Sequence, residues 1–190
     1  MLIGKNIKLR GVKDSDIPKM AEWRNSPDIY SSFYEYEPIS DISQRRWLEK
    51  HLNDPTEKLF IISTLDGKPI GTVGLTHIDL RNRKAEFGRF LIGEKDYQNK
   101  GYGPEASILG LEYAFEHMNL NKVYLEVLSS NNKAIKLYKK LGYTAEGLRR
   151  QHIYKGGKYL DVIIMALLRK TYLAKNYPAM KIRQRILGGK

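Results

Sequence analysis

The chain has 190 residues, 42% of them hydrophobic and 28% charged, with a formal net charge of +12 and no cysteine. That is the length of about one domain with a sizeable core, and the missing cysteine excludes disulfides, thiolate metal sites and a cysteine nucleophile. No apolar run approaches the ~18 residues of a membrane span, and Met1–Lys5 opens no signal-peptide h-region, so a cytoplasmic protein with no membrane partner is expected.

Ile7–Arg10 reads as an opening strand, and Asp14 or Ser15 caps a helix that runs to Asn25. An aromatic, irregular stretch follows from Ile29 to Ile39, with Glu35 and Glu37 between its rings, and then a helix from Ser43 to Leu52. Leu59–Leu65 is a strand, Asp66-Gly67-Lys68-Pro69 a hairpin turn, and Ile70–Ile78 the return strand. Ala85–Ile92 makes the third strand of a meander. Strict alternation puts Ala85, Phe87, Arg89 and Leu91 on one face, and Glu86, Gly88, Phe90 and Ile92 on the other. A helix from Pro104 to His117 crosses over to a strand at 123–128, which should therefore lie parallel to its neighbour. Asn132–Leu141 is a helix ended by Gly142, and strands at 143–150 and 158–168 finish the pattern. Seven basic residues and no acid fall from Arg169 onward, which reads as a solvated basic tail rather than a nucleic-acid surface. The milder basic excess elsewhere suits a polyanionic small molecule.

Between the third strand and its helix lies Gln98-Asn99-Lys100-Gly101-Tyr102-Gly103. Glycines at a strand-to-helix handover let a ligand approach the backbone, and a helix N-terminus offers unpaired amides, together an anion site. The spacing fits neither GxGxxG nor GxxxxGK[ST]. Gln-x-x-Gly-x-Gly instead resembles the pyrophosphate motif of the GCN5-related N-acetyltransferases. Asn131-x-x-Ala134-x-x-x-Tyr138-x-x-x-Gly142-Tyr143 is similar to a second segment of that family. Glu146-Gly147, Gly156 and Tyr159-x-Asp161 resemble its branch of spermidine, ribosomal-protein and nucleotide-amino-sugar acetyltransferases.

The resemblance implies an α/β fold, a mixed sheet of about seven strands flanked by about four helices. It implies one N-acetyltransferase domain over 1–168 and a basic extension over 169–190. The implied reaction moves acetyl from acetyl-coenzyme A, the co-substrate, to a primary amine by direct attack in a ternary complex, without a metal. Residues 98–103 would hold the pyrophosphate. Asn131, Lys133, Ala134, Lys136, Tyr138 and Lys140 would line the coenzyme, the lysines being otherwise a solvated helical face. Backbone groups of Leu91, Ile92 and Gly93 would line the pantetheine arm and supply the oxyanion donor.

Periodicity alone makes Tyr138 a core aromatic; the resemblance makes it the general acid for the leaving thiolate. Glu86, expected among apolar residues on a packed face, is the candidate base, with Glu126 as runner-up. Glu35 and Glu37 fall where the family shapes its acceptor pocket. They favour a polyamine, whereas Glu22–Pro27 and the basic balance favour a nucleotide-linked amino sugar. A protein N-terminus, or a non-enzymatic nucleic-acid or ribosome binder, are the alternatives. A homo-oligomer is left open. His51, His77, His117 and His152 show no metal-ligand spacing.

Overall fold

The computed structural model describes residues 1–30, 33–34 and 37–175. Strands β1 (Leu2–Ile3) and β2 (Ile7–Arg10) lead through a short turn of 3-10 helix into α1 (Ile17–Asn25), α2 (Pro27–Tyr30) and α3 (Asp41–Leu52). A meander follows: β3 (Lys58–Thr64), β4 (Pro69–Asp79) and β5 (Lys84–Ile92). Helix α4 (Tyr102–Glu112) continues into a π-helical turn and reaches β6 (Lys122–Leu128). Then come α5 (Asn132–Lys140), β7 (Thr144–Lys155), β8 (Lys158–Leu168) and α6 (Arg169–Lys175).

Among the described residues eight strands form one sheet, ordered β1-β2-β3-β4-β5-β6-β8-β7. The crossover through α4 makes β5 and β6 parallel, as expected, and the other neighbours are antiparallel. Local chemistry sets the element ends. The Ser40 and Ser43 side chains bond each other's backbone N–H, so α3 starts earlier than the apolar pattern suggested. Asn131 Oδ1 accepts from Ala134 N–H at 3.1 Å to cap α5. Gly142, at φ +89°, closes it, and Tyr143 N–H bonds the Tyr138 carbonyl.

Each face of the sheet carries its own core. Ile17, Met20 and Trp23 of α1 and Leu48 of α3 pack on Ile61 and Leu91. On the other face Leu109 of α4, Phe115 just beyond it and Tyr138 of α5 pack on Phe87, Val123 and Met165. β5 serves both cores, and here strict alternation fails. Phe87 and Leu91 lie in different cores, while Phe90 and Ile92 pack with Phe87's. The reason is an extra residue: Gly74 pairs with Gly88 and Thr72 with Leu91, so β5 bulges at Arg89, whose φ is +55°.

The packing also runs past residue 168. Tyr172 of α6 is fully buried and stacks on Phe115, with ring centres 4.7 Å apart. The basic character of 169–175 thus belongs to a docked helix, not a solvated tail; residues 176–190 lie outside the described residues. Among the described residues no helix is long and apolar enough to cross a membrane. Replacing Tyr172 with Ala should cost about 3–5 kcal/mol, measured by urea unfolding; a loss under about 1 kcal/mol would mean α6 is not part of the core.

Candidate functional site

β5 and β6 are paired only from Lys84 to Glu86 against Lys122 to Tyr124. Beyond that they part, while β6 stays paired to β8 through Leu128. The bulge at Arg89 turns β5 away from its parallel neighbour, and Thr72 Oγ1 secures it by donating to the Arg89 carbonyl at 2.6 Å. The parting leaves a groove of about 620 Å³, floored by β5 from Glu86 to Ile92 and walled by Glu126–Leu128 and one face of α5.

Backbone direction follows along β5. A Cβ on Gly71 would lie 2.2 Å from the Leu91 carbonyl oxygen, and Gly93 N–H donates to the Ile70 carbonyl at 2.8 Å. Both groups therefore point toward β4, and alternation turns the Ile92 N–H to the open side. Gly93 does not line the groove and is no oxyanion donor, because its amide is used in the sheet. Its missing side chain serves packing, since a Cβ would lie 2.1 Å from the Trp23 ring.

One end of the groove is built for an anion. Asn99 and Gly101 take left-handed backbone, φ +60° and +90°, and α4 starts at Tyr102. The first-turn amides of α4 are thus presented at the groove, with Pro104 lacking one of them. Gln98 Nε2 donates to the Ile92 carbonyl at 3.0 Å and ties the turn to the end of β5. Lys133 Nζ bonds Asn99 Oδ1 at 2.6 Å, bringing a cation from α5 to the same turn. The Glu105 carboxylate is held away by Asn6, whose backbone and side chain both donate to it.

The other end is acidic and aromatic. Glu86 and Glu126 both line it, on the two strands where they part. Glu86 lies 2.8 Å from His77 Nδ1 and Glu126 lies 2.5 Å from Arg149 Nη1. Glu86 is not enclosed among apolar residues as alternation implied: its side chain keeps 23% of its exposure, because its face of β5 opens to the groove and to His77. Burial, then Glu126 and Glu86, pushes the Tyr34 phenol well above its ordinary range, and its hydroxyl has no hydrogen-bond partner among the described residues. The same causes raise Tyr124. Tyr138 lines the groove between the two ends, edge-on to Phe87, and burial pushes it up to about 12.

The structure gathers Glu86, Leu91, Ile92, Gln98, Asn99, Gly101, Gly103, Asn131, Lys133, Ala134 and Tyr138 in this groove. Lys100 and Tyr102 fall outside its lining; Tyr102 turns its ring against Tyr97. Lys136 and Lys140 are exposed and also outside it, on a different side of α5 from Ala134, Leu137 and Tyr138, which line the groove. Glu37 lines a second cavity of about 530 Å³ with Trp47 and Arg89. Glu35 lies outside the described residues. Sequence reasoning did not single out Tyr34, although the aromatic run around it was a visible signal. Arg89 was also missed; it stacks on Trp47 and holds both oxygens of Glu57, and no local pattern announces that. Among the described residues no group of three or more His, Asp or Glu could hold a metal.

Residues 6–144 match the family described as acetyltransferase (GNAT) domain. Spermidine N(1)-acetyltransferase of Escherichia coli (strain K12) is 32% identical over 173 residues, 90% of each protein. The Vibrio cholerae spermidine N(1)-acetyltransferase is 30% identical over 92% of this chain and 99% of its own. The crystal structure of spermidine N-acetyltransferase from Vibrio cholerae in complex with CoA and spermine superposes with a TM-score of 0.82 at 30% identity, covering 88% of this chain and 98% of that one.

The two glycines of the turn should separate experimentally. Gly101→Ala meets no neighbour but forces a side chain into left-handed backbone, and should cost about 1–2 kcal/mol. Gly103→Ala places its Cβ in ordinary contact, 3.5 Å from Phe90, and should leave stability within about 0.5 kcal/mol. Paired denaturation curves check this; equal losses would contradict it.

Proposed function

This chain belongs to the acetyltransferase (GNAT) family and is an acetyl-coenzyme A-dependent N-acetyltransferase, and we propose that its acceptor is a polyamine. The observation that carries the proposal is the pair of carboxylates, Glu86 and Glu126, at the end of the groove opposite the phosphate-ready turn. Acidic walls attract a polycation and repel a nucleotide-linked sugar. Of the segment that favoured an anionic acceptor, Trp23 is buried with its Nε1 bonded to Glu94 at 3.0 Å, and Arg24, which lines the groove, is stacked 4.4 Å from the centre of the Phe33 ring. The named activity of the relatives supports the same choice.

When bound, acetyl-coenzyme A supplies the activated acetyl thioester. The residues present suit it. The open first-turn amides of α4, with Lys133 beside them, hold a diphosphate, and the side-chain-free surface at Gly103 lets it approach. The unpaired edge of β5 satisfies a peptide-like arm. The Ile92 N–H, turned to the gap, donates to the carbonyl oxygen as negative charge develops there. Glu86 takes a proton from the acceptor's ammonium, directly or through water, leaving the neutral amine to attack the thioester carbonyl, and His77 orients the Glu86 carboxylate. Tyr138 keeps its proton throughout the working pH range because burial raises its pKa. It then donates to the departing sulfur, whose thiolate is made more basic by the same dry surroundings.

Thiol release from acetyl-coenzyme A should be fast with spermidine or spermine, and near background with nucleotide-linked amino sugars, aminoglycosides and peptides. Turnover of an amino sugar in place of polyamines would overturn the acceptor. Tyr138→Phe should lower kcat about 10²–10⁴-fold while calorimetry shows unchanged coenzyme affinity. Near wild-type kcat would remove Tyr138 from the mechanism.

A further inference from the structure

The β7–β8 hairpin ends in a two-residue turn, Gly156 at φ +57° and Gly157 at +79°. Two consecutive positive values are what a type I′ hairpin turn requires. Tyr154 and Tyr159 pair across the strands with ring centres 5.0 Å apart and stiffen the tip. Lys155 is the last residue before the turn, opposite Lys158. Its side chain reaches residues 125 and 122 positions back in sequence. Nζ donates to the Tyr30 carbonyl at 2.8 Å and to the Phe33 carbonyl, and lies 5.2 Å from the centre of the Tyr30 ring. Among the described residues, two carbonyls and a ring face suit an ammonium that has lost part of its water. That loss also holds Lys155 below the ordinary lysine range.

The residues it grips matter. Tyr30 ends α2, a single turn of four residues, too short to hold its place without tertiary contacts. Phe33 lines both cavities, and Tyr34 lines the acidic end of the groove. The hairpin tip itself is no part of the core: Tyr154 and Tyr159 are 62% and 65% exposed.

We propose that Lys155 is a positioning residue for the acceptor, tying the backbone at Tyr30 and Phe33 to the hairpin tip so that Phe33 and Tyr34 stand as a fixed wall of the groove. The proposal rests on the reading of the acidic end as the acceptor site. Lys155 touches no reacting atom; it acts through the two aromatic residues. The coenzyme end, the turn at 98–103 and the first turn of α5, lies on elements that Lys155 does not touch.

The test compares Lys155→Met, which keeps an unbranched stem but no donors, with Lys155→Arg. In Lys155→Met the KM for spermidine should rise about tenfold, the scale of a lost charged hydrogen bond. Meanwhile kcat and acetyl-coenzyme A affinity should stay within about twofold, and Lys155→Arg should recover most of the KM. Residue-resolved hydrogen exchange without substrate should speed up at Phe33 and Tyr34 in Lys155→Met. Unchanged exchange overturns the tie, and faster exchange with unchanged KM overturns its role in acceptor binding. Should the wild type acetylate some amine other than a polyamine, the acceptor assignment fails by itself. The KM comparison is then made with that amine, and the exchange measurement decides the tie without any acceptor.

Discussion

A sheet that comes apart in its own interior is the constraint on which this protein depends. Two parallel strands share hydrogen bonds for three residues, at Lys84–Glu86 and Lys122–Tyr124, and then separate. Buried backbone groups left unpaired are costly, so the gap is stable only if something with peptide-like polarity fills it or water reaches it. The bulge at Arg89 makes the separation a built feature. It places a non-glycine residue in left-handed backbone, secured by the Thr72 hydroxyl on one side and by the grip of Arg89 on Glu57 and Trp47 on the other. The ligand site is therefore the place where the sheet's own hydrogen bonding was given up.

The gap has a polarity that matches a bisubstrate reaction. At one end lie a helix start and Lys133; at the other, Glu86 and Glu126. Between them stands a phenol buried enough to stay protonated. In the proposed reading, charge sorts a polyphosphate carrier and a cationic amine to opposite ends of the groove. The partners of the two carboxylates differ in kind. Glu126 is held by the Arg149 guanidinium at 2.5 Å, whereas Glu86 faces the His77 imidazole at 2.8 Å.

The chain itself determined much of this. The glycines of the strand-to-helix turn, the closing Gly142 and the helical face that carries Tyr138 follow from rules acting within a few residues, and all were legible in the sequence. The run Gln98–Gly103 could likewise be read as an anion site, because helix ends and glycines have the same chemistry wherever they occur. Only the tertiary structure decided which neighbours mattered. Gly93 looked like a ligand-facing glycine until Trp23 was found against it. Leu91 and Phe87 looked like one face until the bulge set them on opposite cores. Lys136 and Lys140 shared a helix with Lys133 but not its reach. Arg169–Lys175 looked like a charged tail until Tyr172 was found beneath it. In each case the deciding contact joins segments far apart in the chain, and no local pattern encodes where a sheet bends or which distant side chain closes over a given backbone.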